Sequence, residues 1–162
     1  MTQNIKGESE FYEAVGRALS RWQAIEVMLS LLFALIMQSR RPLLPMKTFH
    51  SVTSLSVRLK MLKVAAEDSL SSEQLQKLKP LLKRVARASS NRNKLAHFMY
   101  NAVVDESGKT DIYLAHIHPE PTSSRSIKVR INQIHTWESE WYQLLLELAE
   151  CQVTMVPSAT DR

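Results

Sequence analysis

Residues 8–38 read ESEFYEAVGRALSRWQAIEVMLSLLFALIMQ, and their spacing decides the fold class. Phe11, Val15, Leu19, Trp22, Leu29, Phe33 and Ile36 recur at three- and four-residue steps, which puts them on one stripe of a long helix. No proline interrupts it. Between Val27 and Met37 only Ser30 is polar, so this half of the helix is apolar on every face. Such a stretch is too short to span a bilayer by itself. It is expected to be buried on more than one side, by other helices or by a second subunit.

Downstream, Arg40-Arg41-Pro42 breaks the helix and Pro45 keeps the chain turning. A second helical segment is expected from Lys47 or Ser51 to Asp68, with Phe49, Val52, Leu55, Leu59 and Leu62 on its apolar side. Ser71 and Gln74 form a capping box for a third helix, whose stripe runs through Leu75, Leu78, Leu82 and Val85 towards Ala96. Pro80 lies inside that pattern and predicts a kink or a false start near Lys79.

After Tyr100 the period changes to two. Met99–Val104 and Asp111–Ile117 read as strands joined by a turn at Asp105–Lys109, and Ile127, Val129 and Ile131 alternate with Lys128 and Arg130 as in a third. A last helix carries Trp137, Trp141, Leu144, Leu148 and Cys151. The expected fold is all-α, an antiparallel bundle of four helices with a small antiparallel β insertion between the third and fourth. One domain spans residues 1–162, with its core at about 8–152 and a frayed tail from 154.

Composition removes several function classes. Only three glycines occur, and neither G-x-G-x-x-G nor G-x-x-x-x-G-K-[ST] is present, so a nucleotide-cradling loop of either kind is out. The single cysteine, Cys151, excludes an internal disulfide and cysteine-based zinc sites. A polar N-terminus without an apolar core is not a signal peptide, which makes the cytoplasm the expected compartment. Residues 58–94 hold ten basic and three acidic side chains, whereas residues 95–162 hold five basic and nine acidic. A positive region of this kind attracts polyanions or is simply a solvated helix face.

Asn91-Arg92-Asn93-Lys94-Leu95-Ala96-His97 closes the third helix and carries the chemistry. Arg92 followed by Asn93 and, five residues after the arginine, by His97 resembles the signature of the HEPN domain, a family of small helical proteins. The long first helix with Trp22 and Glu26 is similar to the family's as well. The resemblance implies a homodimeric helical bundle and, in many members, RNA cleavage without a metal or other cofactor. Some members are toxins paired with a nucleotidyltransferase-type antitoxin, while others are non-catalytic interaction or nucleic-acid-binding modules. Members modified by such an antitoxin carry tyrosine two residues after the histidine; here that position is Met99 and the tyrosine is Tyr100.

The residue types suit that chemistry. Histidine can take a proton from a 2′-hydroxyl or give one to a 5′-oxygen near neutral pH. A guanidinium can hold phosphate bidentately and stabilise the charge developing on it. Asn93, four residues before His97, shares its helix face and can orient the ring or the phosphate. Lys83, Arg84, Arg87 and Lys94 are the candidate RNA contacts. Five residues along an ideal helix amount to about 500°, so Arg92 and His97 point roughly 140° apart. A site shared between two subunits, or a distortion near His97, resolves this.

Glu26 falls on the stripe of Trp22, Leu29 and Phe33, where a carboxylate needs a partner, and Arg92 is the expected one. That ion pair without catalysis is the competing structural role for Arg92. His116 and His118, alternating on a strand, form a weak candidate metal pair with no matching third ligand. Cys151 with His135 lacks the context of a nucleophile, and Trp137 and Trp141 read as core or interface anchors.

Overall fold

The computed structural model describes residues 7–115 and 127–155. Among them the order is α1 (Glu8–Ile36), α2 (Leu43–Ser51), α3 (Leu55–Ser69), α4 (Ser72–His97), β1 (Met99–Val104), β2 (Thr110–Ala115), β3 (Lys128–Arg130) and α5 (Ile131–Val153). The described residues are mostly helical, with five helices and a three-stranded antiparallel sheet in the order β1-β2-β3. His116 and His118 lie outside the described residues. Contacts divide the chain into two units, one of residues 1–22 and 88–141, the other of residues 23–87 and 142–162.

In the first unit, Phe11, Ala14, Ala18 and Trp22 of α1 are buried, as are Ile134, Trp137 and Trp141 of α5. Trp22 and Trp141 meet edge-on with centroids 5.2 Å apart. The sheet has one packed and one wet face, as the period of two requires. Tyr100, Leu114 and Val129 share a register row, and Leu114 and Val129 are buried. On the other face Arg130 forks Asp111 with two 3.1 Å hydrogen bonds, and Lys128 lies 4.1 Å from the Tyr113 ring centroid. The turn closes on Asp105, whose carboxylate accepts from the Ser107 hydroxyl (2.6 Å) and from the Ser107 and Lys109 amides (2.9 Å each). Gly108 supplies the positive φ of +79° that this turn needs.

In the second unit, Ile25, Leu29, Leu32, Phe33 and Ile36 of α1 are buried, and Phe33 packs on Phe49 at 5.4 Å. Ser30 is buried without penalty because its hydroxyl donates to the Val27 carbonyl at 2.7 Å. The chain covers only part of the apolar band expected to be enclosed: Val27 and Met37 remain 47% and 51% exposed. Helix α1 is long and apolar enough to cross a membrane by length and composition, a property that the core helix of a soluble protein shares.

Two helix boundaries depart from the expectation. Where one helix is expected from Lys47 or Ser51 to Asp68, the chain forms α2 and α3, parted by extended backbone at Val52 and Ser54. Ser51 turns its hydroxyl back to the Thr48 carbonyl and Ser54 meets Ser56 at 2.8 Å. These local bonds, with β-branched Val52 and Thr53 between them, compete with helix continuation. Pro45, expected in a turn, sits in the first turn of α2, where a missing N–H costs nothing. Helix α4 continues through Pro80 instead of starting after it. The Ser71–Gln74 capping box forms as expected, with reciprocal bonds of 3.0 and 3.3 Å.

Candidate functional site

Helix α4 stays helical to His97, its last residue, and β1 begins two residues later at Met99. Leu95, on the apolar stripe, is buried and anchors this end of the helix. Arg92 is half-buried, while Asn93 and His97 are exposed. Arg92 donates through a guanidinium nitrogen to the Asn93 side-chain oxygen at 3.2 Å and enters no ion pair among the described residues. His97 is exposed and makes no hydrogen bond among the described residues. Because the helix is continuous through both positions, Arg92 and His97 leave it about 140° apart in one copy of the chain.

Lys94, one of the expected RNA contacts, is tied locally. Its ammonium donates to the Asn91 side chain at 3.0 Å and lies 5.3 Å from the Trp137 ring centroid. Arg84 is engaged by Glu147. Arg87 also has interactions of its own, whereas Lys83 is exposed and forms no ion pair among the described residues. Lys83 lines a groove of about 390 Å³ with Lys60, Lys63 and Lys79. Glu67 answers Lys79 at 3.1 Å and Lys63 at 3.9 Å, and the floor is Leu59, Leu82 and Ala86.

Glu26 does not pair with Arg92. Its carboxylate accepts from a guanidinium nitrogen of Arg58 at 3.2 Å, and the two side chains are 19% and 12% exposed. Arg58 also donates to the Val52 carbonyl at 2.6 Å and the Thr53 carbonyl at 3.5 Å, and lies 6.0 Å from the Phe49 ring centroid. It therefore satisfies the carbonyls left open where α2 stops and holds them to α1. Arg58 is the structural arginine that the sequence reading missed. Its signal is a charged residue three after Leu55 and four before Leu62, in line with the apolar stripe of α3.

The remaining candidates resolve simply. Burial pushes the Cys151 thiol above its usual pKa, which makes it less nucleophilic at neutral pH. His135 lies 3.9 Å from Glu138. Trp22, Trp141 and Tyr100 each bury a polar atom that has no hydrogen-bond partner among the described residues. Tyr100 stacks on Tyr12 at 5.0 Å and meets Phe11 edge-on; burial, followed by the nearby Glu8 charge, raises its pKa. No protein-family model, curated protein or solved structure matches this chain.

Proposed function

We propose that the chain is an HEPN-like, dimeric RNA endonuclease that works without a metal or cofactor, with His97 as general acid/base and Arg92 on the phosphate. In this reading α1, the α2–α3 segment, α4 and α5 make up an antiparallel four-helix bundle, and the protein works in the cytoplasm. The observation that carries it is the exchange of arginines at Glu26. Arg58 takes the structural ion pair, leaving the Arg92 guanidinium with a neutral amide as its bonded neighbour and no carboxylate paired with it among the described residues. A guanidinium in that state is suited to a phosphodiester.

Asn93 holds the Arg92 fork and lies on the His97 face of α4, so it bridges the two chemistries. The divergence of Arg92 and His97 is removed when Arg92 of one chain meets His97 of the other over a shared phosphate. In that cleft the imidazole takes the 2′-hydroxyl proton, the 2′-oxygen attacks phosphorus as the phosphorus–5′-oxygen bond breaks, and the departing 5′-oxygen takes up a proton from water, leaving a 2′,3′-cyclic phosphate. Lys83 adds a non-specific backbone contact. A toxin held by a nucleotidyltransferase-type antitoxin is the biological setting that fits the resemblance, although Met99 stands where such an antitoxin's target tyrosine is expected.

The test is cleavage of fluorescent RNA by purified protein. Activity is expected to survive EDTA, to leave cyclic phosphate ends, and to vanish in Arg92→Ala and in His97→Ala. Mixed with verified subunit exchange, those two inactive variants are expected to regain part of the activity, because each heterodimer contains one intact Arg–His pair. Cleavage lost to chelator and restored by a divalent metal overturns the mechanism. The same divergence of Arg92 and His97 within one copy favours a second reading, an RNA-binding module without catalysis. Salt-dependent RNA binding with no cleavage of structured or single-stranded RNA supports that alternative.

A further inference from the structure

The turn from α1 into α2 reads Ser39-Arg40-Arg41-Pro42-Leu43-Leu44 and projects two adjacent leucines. Leu43 and Leu44 are 66% and 63% exposed, as side chains are that stand off a surface rather than line a groove. Their presentation is fixed by the residues around them. The Ser39 hydroxyl donates to the Arg41 carbonyl at 3.1 Å and accepts from the Arg41 amide at 3.2 Å, and Pro42 stands at the N-cap of α2. One face of α2 buries Pro45 and Phe49, the latter against Phe33. Leu43 and Leu44 come four and three residues before Lys47, so all three lie on the opposite face. Turning the leucines inward would unseat Phe49.

The charge around them has one sign. From Val27 to Ala66 no aspartate or glutamate occurs, against six lysines and arginines. Arg40, Arg41 and Lys47 are exposed and form no ion pair among the described residues. We infer that this turn docks on an anionic lipid bilayer, with Leu43 and Leu44 entering the acyl boundary while Arg40, Arg41 and Lys47 meet the lipid phosphates. Long basic side chains reach the headgroups from beside inserted leucines, and the negative surface potential attracts each of them. A bilayer takes projecting side chains without needing a pocket for them. RNA gains nothing from two projecting leucines, and Phe49, which could stack on a base, is buried. A second copy related by a two-fold axis at this turn sets arginines against arginines. Val103 and Val104 are another exposed apolar pair, at 52% and 61%, but Asp105 and Glu106 follow them, and an anionic surface repels those.

The inference goes beyond the proposed RNA cleavage and does not depend on it. The full chain is floated in a density gradient with phosphatidylcholine vesicles, with and without phosphatidylglycerol. The wild type is expected to float only with phosphatidylglycerol and to be released by salt. Leu43→Ser/Leu44→Ser and Arg40→Glu/Arg41→Glu are each expected to weaken vesicle binding by about tenfold or more. Val103→Ser/Val104→Ser, at the other exposed apolar pair, is expected to bind as the wild type does. Leu44→Trp is expected to shift its fluorescence to the blue on binding, which reads insertion directly. All these positions are exposed or half-exposed, so unchanged circular dichroism is expected and separates lost docking from unfolding. A wild type that stays off phosphatidylglycerol vesicles overturns the inference. So does binding that survives Leu43→Ser/Leu44→Ser, or that falls as far in the valine variant. RNA binding lost in the leucine variant, with no vesicle binding by the wild type, assigns the turn to nucleic acid and overturns it too.

Discussion

Truncating Arg58 is the perturbation that most directly separates the two arginines. Arg58→Ala strands the Glu26 carboxylate, which is only 19% exposed, and frees the Val52 carbonyl that now accepts at 2.6 Å. The lost charge-assisted bond costs about 1.5–2 kcal/mol, the unanswered carbonyl about 1, and the lost packing against Phe49 some tenths more. The total is about 3 kcal/mol, or a fall in Tm of about 6–12 °C for a domain of this size. Arg92→Ala removes one bond to an exposed neighbouring amide and should cost no more than about 0.5 kcal/mol. Chemical denaturation of Glu26→Ala, Arg58→Ala and the double variant should give a coupling energy of about 1–2 kcal/mol, while Glu26→Ala with Arg92→Ala should be additive within about 0.5. If Arg92→Ala destabilises as much as Arg58→Ala, or if the Glu26–Arg58 coupling is absent, the assignment of Arg58 as the structural arginine is refuted.

Gly16 lies exposed inside α1, and a Cβ there meets nothing within 4 Å, so Gly16→Ala should stabilise by about 1 kcal/mol and raise Tm by about 2–4 °C in a thermal melt. Ser71→Ala removes one half of the capping box and should cost about 1 kcal/mol, with faster amide exchange confined to the first turn of α4. Arg130 holds the Asp111 carboxyl below its usual pKa. A depressed folded pKa means that the stabilisation is present above the unfolded value near 4 and is lost as pH falls through the folded one. The β2–β3 amides should therefore lose protection in acid, and Asp111→Asn should remove that pH dependence; exchange that stays pH-independent in the wild type after correction for intrinsic rates speaks against the pair.

How much of the fold was legible follows from how local each signal is. The capping box at Ser71 and Gln74 and the Asp105–Lys109 turn depend on residues within a few positions, and each appears where the sequence put it, whereas the third strand is shorter than its alternation suggests: Val129 is buried, but Ile127 is exposed and Ile131 already belongs to α5. The break between α2 and α3 was not legible from periodicity, because Phe49, Val52, Leu55 and Leu59 keep a helical step straight through it. Polar competition at Ser51 and Ser54 breaks the helix, and Arg58 caps it from beyond the break. Pro45 misled as a turn, and of the kink or false start expected at Pro80 the false start does not occur. A proline removes one N–H, which is free of cost in a first turn and affordable in a long helix whose stripe is well buried.

The site was legible in its residue types and not in its pairings. Arg58 and Arg92 each lie beside an apolar stripe, three residues after Leu55 and three before Leu95, so periodicity alone gives Glu26 no reason to prefer either. The choice is made across 32 residues of chain by the Val52 and Thr53 carbonyls. Their demand for a donor places a guanidinium at the α2–α3 junction, and a guanidinium there already reaches Glu26. A single arginine then meets both needs, and the cost of burying the Glu26 carboxylate is met without α4. Arg92 is thereby relieved of any structural duty that burial imposes. Among the described residues Arg92 keeps only the Asn93 side chain as a hydrogen-bond partner, which is the state that the proposed phosphate contact requires.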